Sequence, residues 1–157
     1  MNFQSKKNIS KLHPSVRVEV SGIVDLCNSF LNKKSTLEVI ETFVSFDEQK
    51  TQYQIGRTIP GQILTNLKAG KSVQNYGFGL RVDLFVNEIS LNVLSQKNWS
   101  AVEISTWTEI VALFANLGWK CSGNWTNQID FNYFEKIGCD DWRRLSKLKQ
   151  SGGYVVF

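Results

Sequence analysis

The chain has 157 residues, of which 42% are hydrophobic and 20% charged, and its formal net charge is +4. This length and composition predict one compact domain and exclude a disordered chain or two full-sized domains. The positive charge would suit an anionic polymer. However, the lysines and arginines are scattered and form no regular alternation with aromatic residues, which argues against nucleic-acid binding.

The N-terminal residues include lysines, but no apolar run follows them, so the sequence shows no secretory signal. No stretch is long and apolar enough to predict a membrane span. We therefore expect a protein that is made in the cytoplasm and either stays there or leaves it by lysis or inside a particle. The three cysteines, Cys27, Cys121 and Cys139, have no paired spacing, which predicts free thiols instead of a disulfide framework or a thiolate zinc cluster.

The chain begins with a polar segment, residues 1–12, which we interpret as a flexible lead-in to a single domain over 13–157. Pro14 suits a first helical turn, and apolar residues then recur at helical spacing until Asn32. The β-branched and aromatic run 37–44 predicts a strand that is buried on both faces, because its apolar residues do not keep to one side.

A short helix is expected next, capped by Ser45 or Asp47 and ending near Gly56. The segment 57–71 is rich in turn residues, and so long an irregular segment in a compact domain is typical of a functional loop or a lid.

The stretch from Gly70 to Asp83 reads GKSVQNYGFGLRVD. Its glycines allow tight turns, and Leu80 and Val82 then alternate with polar residues as in a half-buried strand. Asp83 therefore lies where a loop passes into a strand, which is a common position for a catalytic or ligand residue.

The remaining predicted elements, in chain order, are a hairpin within 87–98, a helix that begins at the Thr106/Glu109 capping box and is closed by Gly118, a strand pair over 119–125 and 129–134, a last helix capped by Asp140 or Asp141, and a closing strand over 154–157. Helices and strands mix without a repeating βαβ order. The expected class is α+β: one small domain whose central, mainly antiparallel sheet has helices packed on it.

The order of these features resembles the zinc peptidases of bacterial and phage wall metabolism that cut peptidoglycan stem peptides, namely L-alanyl-D-glutamate endopeptidases and D-alanyl-D-alanine carboxypeptidases. The resemblance covers nearly the whole chain. It is carried by Leu12-His13-Pro14, Cys27-Asn28, Glu48-Gln49, Gly56-Arg57-Thr58, Pro60-Gly61, Thr65, Gly70, Ser72, Asn75-Tyr76-Gly77, Asp83, Leu117-Gly118, Gly123, Trp125, Asp130 and Phe134-Glu135.

The resemblance implies a zinc ion held by a histidine in a Ser-x-His-Asn-Tyr-Gly loop, an aspartate a few residues later and a histidine in an Asp-x-x-His-Phe-Glu segment. The first aspartate of that segment is the general base, and an upstream arginine holds the developing oxyanion. In this chain these positions are occupied, in the same order, by Gln74, Asp83, Tyr133, Asp130 and Val44. The interval from Gln74 to Asp83 is about two residues longer than the family pattern, which indicates an insertion within 78–81.

These replacements affect the implied metal site. A catalytic zinc keeps three protein ligands, a glutamine oxygen is a poor substitute for imidazole, and a tyrosine, whose usual pKa is about 10, must first lose its proton. The single histidine, His13, matches a family position outside the metal site. Asp83 and Asp130 remain, and we interpret them as vestigial. A mixed zinc site of Asp83, Asp130 and Cys121 is an alternative that depends on geometry.

We therefore predict a catalytically inactive, wall-peptidase-like domain that acts as a structural or peptidoglycan-peptide-binding module, without a cofactor, in a phage particle or injection device. Its partner would be a peptidoglycan peptide or a particle or tail protein. The expected cleft residues are Arg57, Ser72, Gln74, Asn75, Asp83, Trp125, Asp130 and Tyr133, of which Arg57, Ser72, Asn75 and Trp125 would bind the ligand. Two alternatives remain: an active, endolysin-like metallopeptidase with an altered zinc site, and a spacer without a ligand.

Overall fold

A computed structural model describes residues 1–91, 98–122 and 131–157. The strands of its main sheet are β1 (Ser35–Glu41), β2 (Gly79–Val86), β3 (Ile89–Ser90), β4 (Trp119–Cys121) and β5 (Tyr133–Lys136), and a separate hairpin is formed by β6 (Gln150–Ser151) and β7 (Tyr154–Val155). The order in the main sheet is β1-β2-β5-β4, with β3 paired to the end of β2, and the pairs are antiparallel. The predicted α+β domain with a mainly antiparallel sheet is confirmed.

The helices are α1 (Phe3–Ile9), α2 (Pro14–Phe30), α3 (Phe46–Gln54), α4 (Ala101–Asn116) and α5 (Trp142–Leu145), with a 3₁₀ turn at Val73–Tyr76. Helix α2 begins at Pro14 as predicted, and the His13 ring caps it by accepting a hydrogen bond from the Ser15 amide. Helix α3 is capped by Ser45, whose hydroxyl and Glu48 form a capping box. Within the described part of the chain, no helix is both long and apolar enough to cross a membrane.

The hydrophobic core lies against one face of the sheet. Because successive side chains of a strand point to opposite faces, β2 buries Leu80, Val82 and Leu84 in the core that it shares with α2 and α4. The alternate residues of β2, which include Arg81 and Asp83, project from the other face. This outer face carries the candidate site.

The N-terminal segment forms part of the domain, which corrects the prediction of a flexible lead-in over residues 1–12. Asn2 caps α1, and the helix packs along β1. The side-chain amide of Asn8 donates a hydrogen bond to the Val39 carbonyl at 2.8 Å, and the Ser5 hydroxyl accepts one from the backbone N–H of Val39 at 3.0 Å. These polar side chains supply hydrogen-bond partners to backbone groups along the open edge of β1. The polar composition of residues 1–12 therefore did not indicate disorder.

Strand β1 ends at Glu41, and the prediction that 37–44 is buried on both faces is wrong. Leu37 and Val39 are buried, whereas Ile40 is 39% exposed. The pairing with β2 is irregular between Val39 and Glu41, where the register shifts by one residue. Such an irregularity re-aims the side chains that follow it. Glu41 consequently pairs with Arg81.

Helix α4 starts earlier than predicted. Ser100 and Glu103 form the capping box at its beginning, so the similar Thr106/Glu109 spacing lies inside the helix. The helix ends at Asn116, and Gly118 follows with a φ of +76°, which agrees with the predicted end.

Other C-terminal elements are shorter than predicted. The strand pair is β4 with β5, the last helix covers only 142–145 after its Asp141 cap, and the closing strand forms the hairpin of β6 and β7. Strand β3 pairs with the end of β2 across a turn at 87–88, so this hairpin uses a strand that lies before the predicted range 87–98. The rest of the predicted hairpin, 92–97, and the predicted strand ends within 123–130 lie outside the described residues.

Candidate functional site

A cleft of about 310 Å³ opens on the outer face of the sheet, between its strands and the loop that follows α3. Amide, hydroxyl and charged side chains line most of it. The lining residues are Glu41, Gln49, Gln52, Leu64, Thr65, Asn66, Leu67, Ser72, Gln74, Arg81, Tyr133 and Glu135.

Arg81 lies at the centre of this cleft. The sheet register aligns Glu41, Arg81 and Tyr133 on three adjacent strands. Arg81 Nε donates to Glu41 Oε2 at 2.9 Å, and Gln74 Nε2 donates to the same oxygen at 3.3 Å. The guanidinium carbon is 5.2 Å from the centre of the Tyr133 ring, within cation–π range, and Nη1 donates to Asn132 Oδ1 at 3.2 Å. The cleft therefore contains a cation that belongs to the protein.

Gln74 and Tyr133 approach each other over Gly79. A Cβ atom added at Gly79 would stand 2.5 Å from the Tyr133 hydroxyl oxygen and 2.8 Å from Gln74 Cγ. Both side chains thus need the space that glycine leaves at the start of β2. Sequence reasoning attributed the Gly79 region to an insertion and missed this packing role.

Replacing Gly79 with alanine is expected to lower the free energy of unfolding by about 1–3 kcal/mol, because two cleft side chains must move to admit the methyl group. Urea denaturation measures this loss. Gly22→Ala is the matched control: no atom lies within 4 Å of its added Cβ, and the position is inside α2. There we expect a gain of roughly 0.5–1 kcal/mol from helix propensity. Equal stability of Gly79→Ala and the natural protein would contradict the packing role.

A chain of polar contacts leads away from the cleft. The Tyr133 hydroxyl donates to Glu135 Oε1 at 3.1 Å, Glu135 contacts Lys120 at 3.6 Å, and Lys120 pairs with Asp140 at 2.6 Å. Burial, with a further effect from Glu135, raises the pKa of the Tyr133 hydroxyl well above its usual value of 10.0. Burial also raises the pKa of Glu135, against the opposing effect of Lys120. Tyr133 is therefore held in its neutral form.

Asp83 lies away from the cleft. It projects from the same strand as Arg81 but two residues farther along, which is about 6.7 Å at strand spacing. It is 4% exposed and accepts a hydrogen bond from the Ser90 hydroxyl on β3. The sequence had suggested that Asp83 meets Gln74 and Tyr133 in one site. In the structure, Arg81 lies beside these two residues instead of Asp83.

Arg57 and Asn75 shape the walls of the cleft and do not line it. Arg57 stacks over Tyr53 at 4.0 Å and donates to the Thr65 carbonyl at 3.1 Å and to Asn66 Oδ1 at 2.8 Å, which holds the loop after α3. Asn75 accepts from the Gly70 amide at 3.1 Å and so fixes the loop before the 3₁₀ turn.

Ser72 does line the cleft, and its hydroxyl caps the 3₁₀ turn. Val44 is buried, and its carbonyl accepts a hydrogen bond from the side-chain amide of Asn75 at 2.7 Å. Because a valine side chain is uncharged, this position contributes no cation to the cleft. Trp125 and Asp130 lie outside the described residues.

The mixed zinc site is not assembled in the described part of the chain. Cys121 aligns with the core residue Phe134, and its thiol donates to the Phe131 carbonyl at 3.0 Å. Asp83 projects from the opposite face of the sheet. Over residues 1–91, 98–122 and 131–157, no group of three or more His, Cys, Asp or Glu side chains could hold a metal ion.

The zinc that the resemblance implies does not fit the side chains present in the cleft. A guanidinium is protonated at any ordinary pH and repels a metal cation, and a neutral phenol is a poor ligand. Gln74 offers an amide already engaged with Glu41. Gln74, Arg81 and Tyr133 therefore supply none of the imidazole or carboxylate donors that zinc prefers. The two carboxylates that line the cleft, Glu41 and Glu135, are paired with Arg81 and with Lys120.

Comparison with known proteins identifies the family. The chain is 30% identical, over 128 residues, to the peptidoglycan L-alanyl-D-glutamate endopeptidase CwlK of Bacillus subtilis, and the match covers 82% of this chain and 75% of that protein. The chain belongs to the peptidoglycan L-alanyl-D-glutamate endopeptidase family. No family model matches it. The crystal structure of the Serratia marcescens L-Ala D-Glu endopeptidase ChiX has the same fold, with a TM-score of 0.53 at 12% identity over 87% of this chain and 89% of that one.

Sequence reasoning missed Arg81 and Glu41, the two charged residues at the centre of this endopeptidase-family cleft. One signal was available. The interval from Gln74 to Asp83 exceeded the family pattern by two residues, and counting back two residues from Asp83 reaches Arg81 on the same face of the strand. Arg81 is thus an alternative to an insertion as the counterpart of the family's ligand aspartate. No comparable sequence signal pointed to Glu41, because its position opposite Arg81 depends on the irregular pairing of β1 with β2.

Proposed function

We propose that this member of the endopeptidase family binds peptidoglycan peptides in the cleft without hydrolysing them. The observation that carries the proposal is the Arg81 guanidinium, which Glu41 holds at 2.9 Å beside Gln74 and Tyr133. A fixed organic cation thus lies beside Gln74 and Tyr133, two of the positions to which the resemblance assigns zinc ligands.

The cleft retains groups suited to a peptide. Gln49, Gln52, Asn66 and Gln74 carry amides along its walls, and Ser72 adds a hydroxyl. Such groups donate to and accept from a peptide backbone. They fix its orientation without supplying chemistry.

The same side chains offer little for hydrolysis. A guanidinium cannot lower the pKa of a bound water in the way a metal ion does. The resemblance also implies an arginine for the oxyanion, and Val44 stands at that position. These substitutions support binding over catalysis. An active metallopeptidase would need ligands other than the described cleft residues.

The test combines metal content, hydrolysis and binding on the full chain. We expect well under one zinc per chain by elemental analysis, no new peptides released from peptidoglycan, and retention of the protein on isolated sacculi. Gln74→Ala should reduce that retention. Lys33→Gln is the control, because Lys33 is exposed and precedes the first residue of β1, at the end of the strand opposite Glu41. Stoichiometric zinc with chelator-sensitive digestion would establish the active alternative. No retention on sacculi would favour the spacer.

The biological setting follows from the family resemblance alone. We propose a phage particle or injection device, in which the domain would contact the wall or a tail protein. Co-sedimentation with assembled particles tests this setting separately from the binding function.

A further inference from the structure

We propose that Arg81 is the carboxylate-recognising residue of the cleft and that Glu41 occupies it in the free protein as a placeholder for the ligand carboxylate. This inference rests on the proposed peptide-binding function. It goes further because it names the ligand group that the cleft recognises, a carboxylate, and the residue that competes with it, Glu41.

Two donors define the position of one carboxylate oxygen. Arg81 Nε and Gln74 Nε2 converge on Glu41 Oε2, at 2.9 and 3.3 Å. They come from different elements, β2 and the 3₁₀ turn, so their convergence depends on the fold and not on local sequence. A ligand carboxylate placed at the same point would receive the same two hydrogen bonds, one of them charge-assisted.

Glu41 is suited to give way. Its side chain is 38% exposed and that of Arg81 is 31% exposed, so the pair is partly solvated, and ion pairs of this kind contribute about 0–1 kcal/mol. Glu41 is also the last residue of β1, beyond the irregular pairing, so its side chain can rotate without disturbing the ladder. Glu135, the other carboxylate of the cleft, is 8% exposed and held by Tyr133 and Lys120, and it lacks this freedom.

The ligand class is a peptide with a free carboxylate beside its backbone, as at a γ-linked D-glutamate. Its carboxamide counterpart has the same shape but no charge, so it cannot replace Glu41 on a guanidinium equally well. The cleft should therefore distinguish the two forms.

The experiment measures, by calorimetry, the affinity of the full chain for two synthetic tripeptides that both end in a C-terminal amide: L-Ala-γ-D-Glu-L-Lys, and the same peptide with the α-carboxylate of D-Glu replaced by a carboxamide. We expect the natural protein to prefer the carboxylate by about tenfold, or roughly 1.4 kcal/mol. Glu41→Gln should tighten binding of the carboxylate several-fold, because the competitor loses its charge. Arg81→Gln should abolish the preference. Lys33→Gln, which removes the same charge elsewhere, should leave the preference unchanged.

The outcomes separate this inference from the proposed function. Equal binding of both peptides by the natural protein, or weaker binding by Glu41→Gln, overturns the placeholder role while peptide binding stands. Failure of both peptides and of isolated sacculi to bind overturns both proposals. Arg81→Lys is a second variant in case Arg81→Gln does not fold: it keeps the charge but loses the forked geometry, and we expect a reduced preference.

Discussion

Combining Arg81→Asp with Gln74→His and Tyr133→His is expected to create a zinc site at least roughly 100-fold tighter than the two histidine substitutions alone, or about 2.7 kcal/mol. The reason is the arrangement of the three positions. Gln74 and Tyr133 meet over Gly79, and the Arg81 side chain contacts the Tyr133 ring and shares Glu41 with Gln74. Two imidazoles and a carboxylate would then surround one point.

With Arg81 retained, its guanidinium would oppose the metal. Unit charges ~4 Å apart interact by about 4 kcal/mol near a protein surface, so removing the positive charge and adding a negative one act in the same direction. Asp83 cannot take this role without moving, since it is buried and bonded to Ser90 near β3.

Zinc affinity is measured by competition with a chromogenic chelator. Adding Asp83→Asn to the triple variant is the control, and we expect it to leave zinc affinity unchanged while the fold persists. If the double variant binds zinc as tightly as the triple variant, or if Asp83→Asn removes binding, then Asp83 is the ligand position and the assignment of Arg81 is wrong.

Replacing Phe134 with alanine is expected to lower the free energy of unfolding by about 3–5 kcal/mol, which is a large share of the stability of a domain of this size. Phe134 is fully buried, and its ring lies 4.4 Å from that of Phe114. Its neighbours on β5, Tyr133 and Glu135, face the cleft on the other side of the sheet. The core contact of Phe134 therefore also positions two cleft residues.

Urea denaturation followed by tryptophan fluorescence measures the Phe134 effect. Phe3→Ala is the matched control, because Phe3 is 80% exposed and its loss should change stability by no more than about 0.5 kcal/mol. A loss below about 1 kcal/mol for Phe134→Ala would mean that β5 is held mainly by its strand pairing.

Local sequence signals were sufficient for much of the fold. Pro14, the Ser45–Glu48 box and Gly118 mark helix ends through interactions within a few residues, and the structure places helix ends there. The α4 start was misplaced because two similar capping boxes lie six residues apart. Local chemistry could not choose between them.

The sequence by itself determined the α+β class, the family resemblance and the loop that carries Gln74, because these depend on periodicity, capping and the order of short motifs. Only the tertiary structure decided which side chains meet. The irregular pairing of β1 with β2 directs Glu41 to Arg81, and the pairing of β2 with β5 brings Tyr133 to the same row. A shift of two residues along a strand keeps the face but moves a side chain by about 6.7 Å, and this distance separates Asp83 from the cleft that Arg81 occupies.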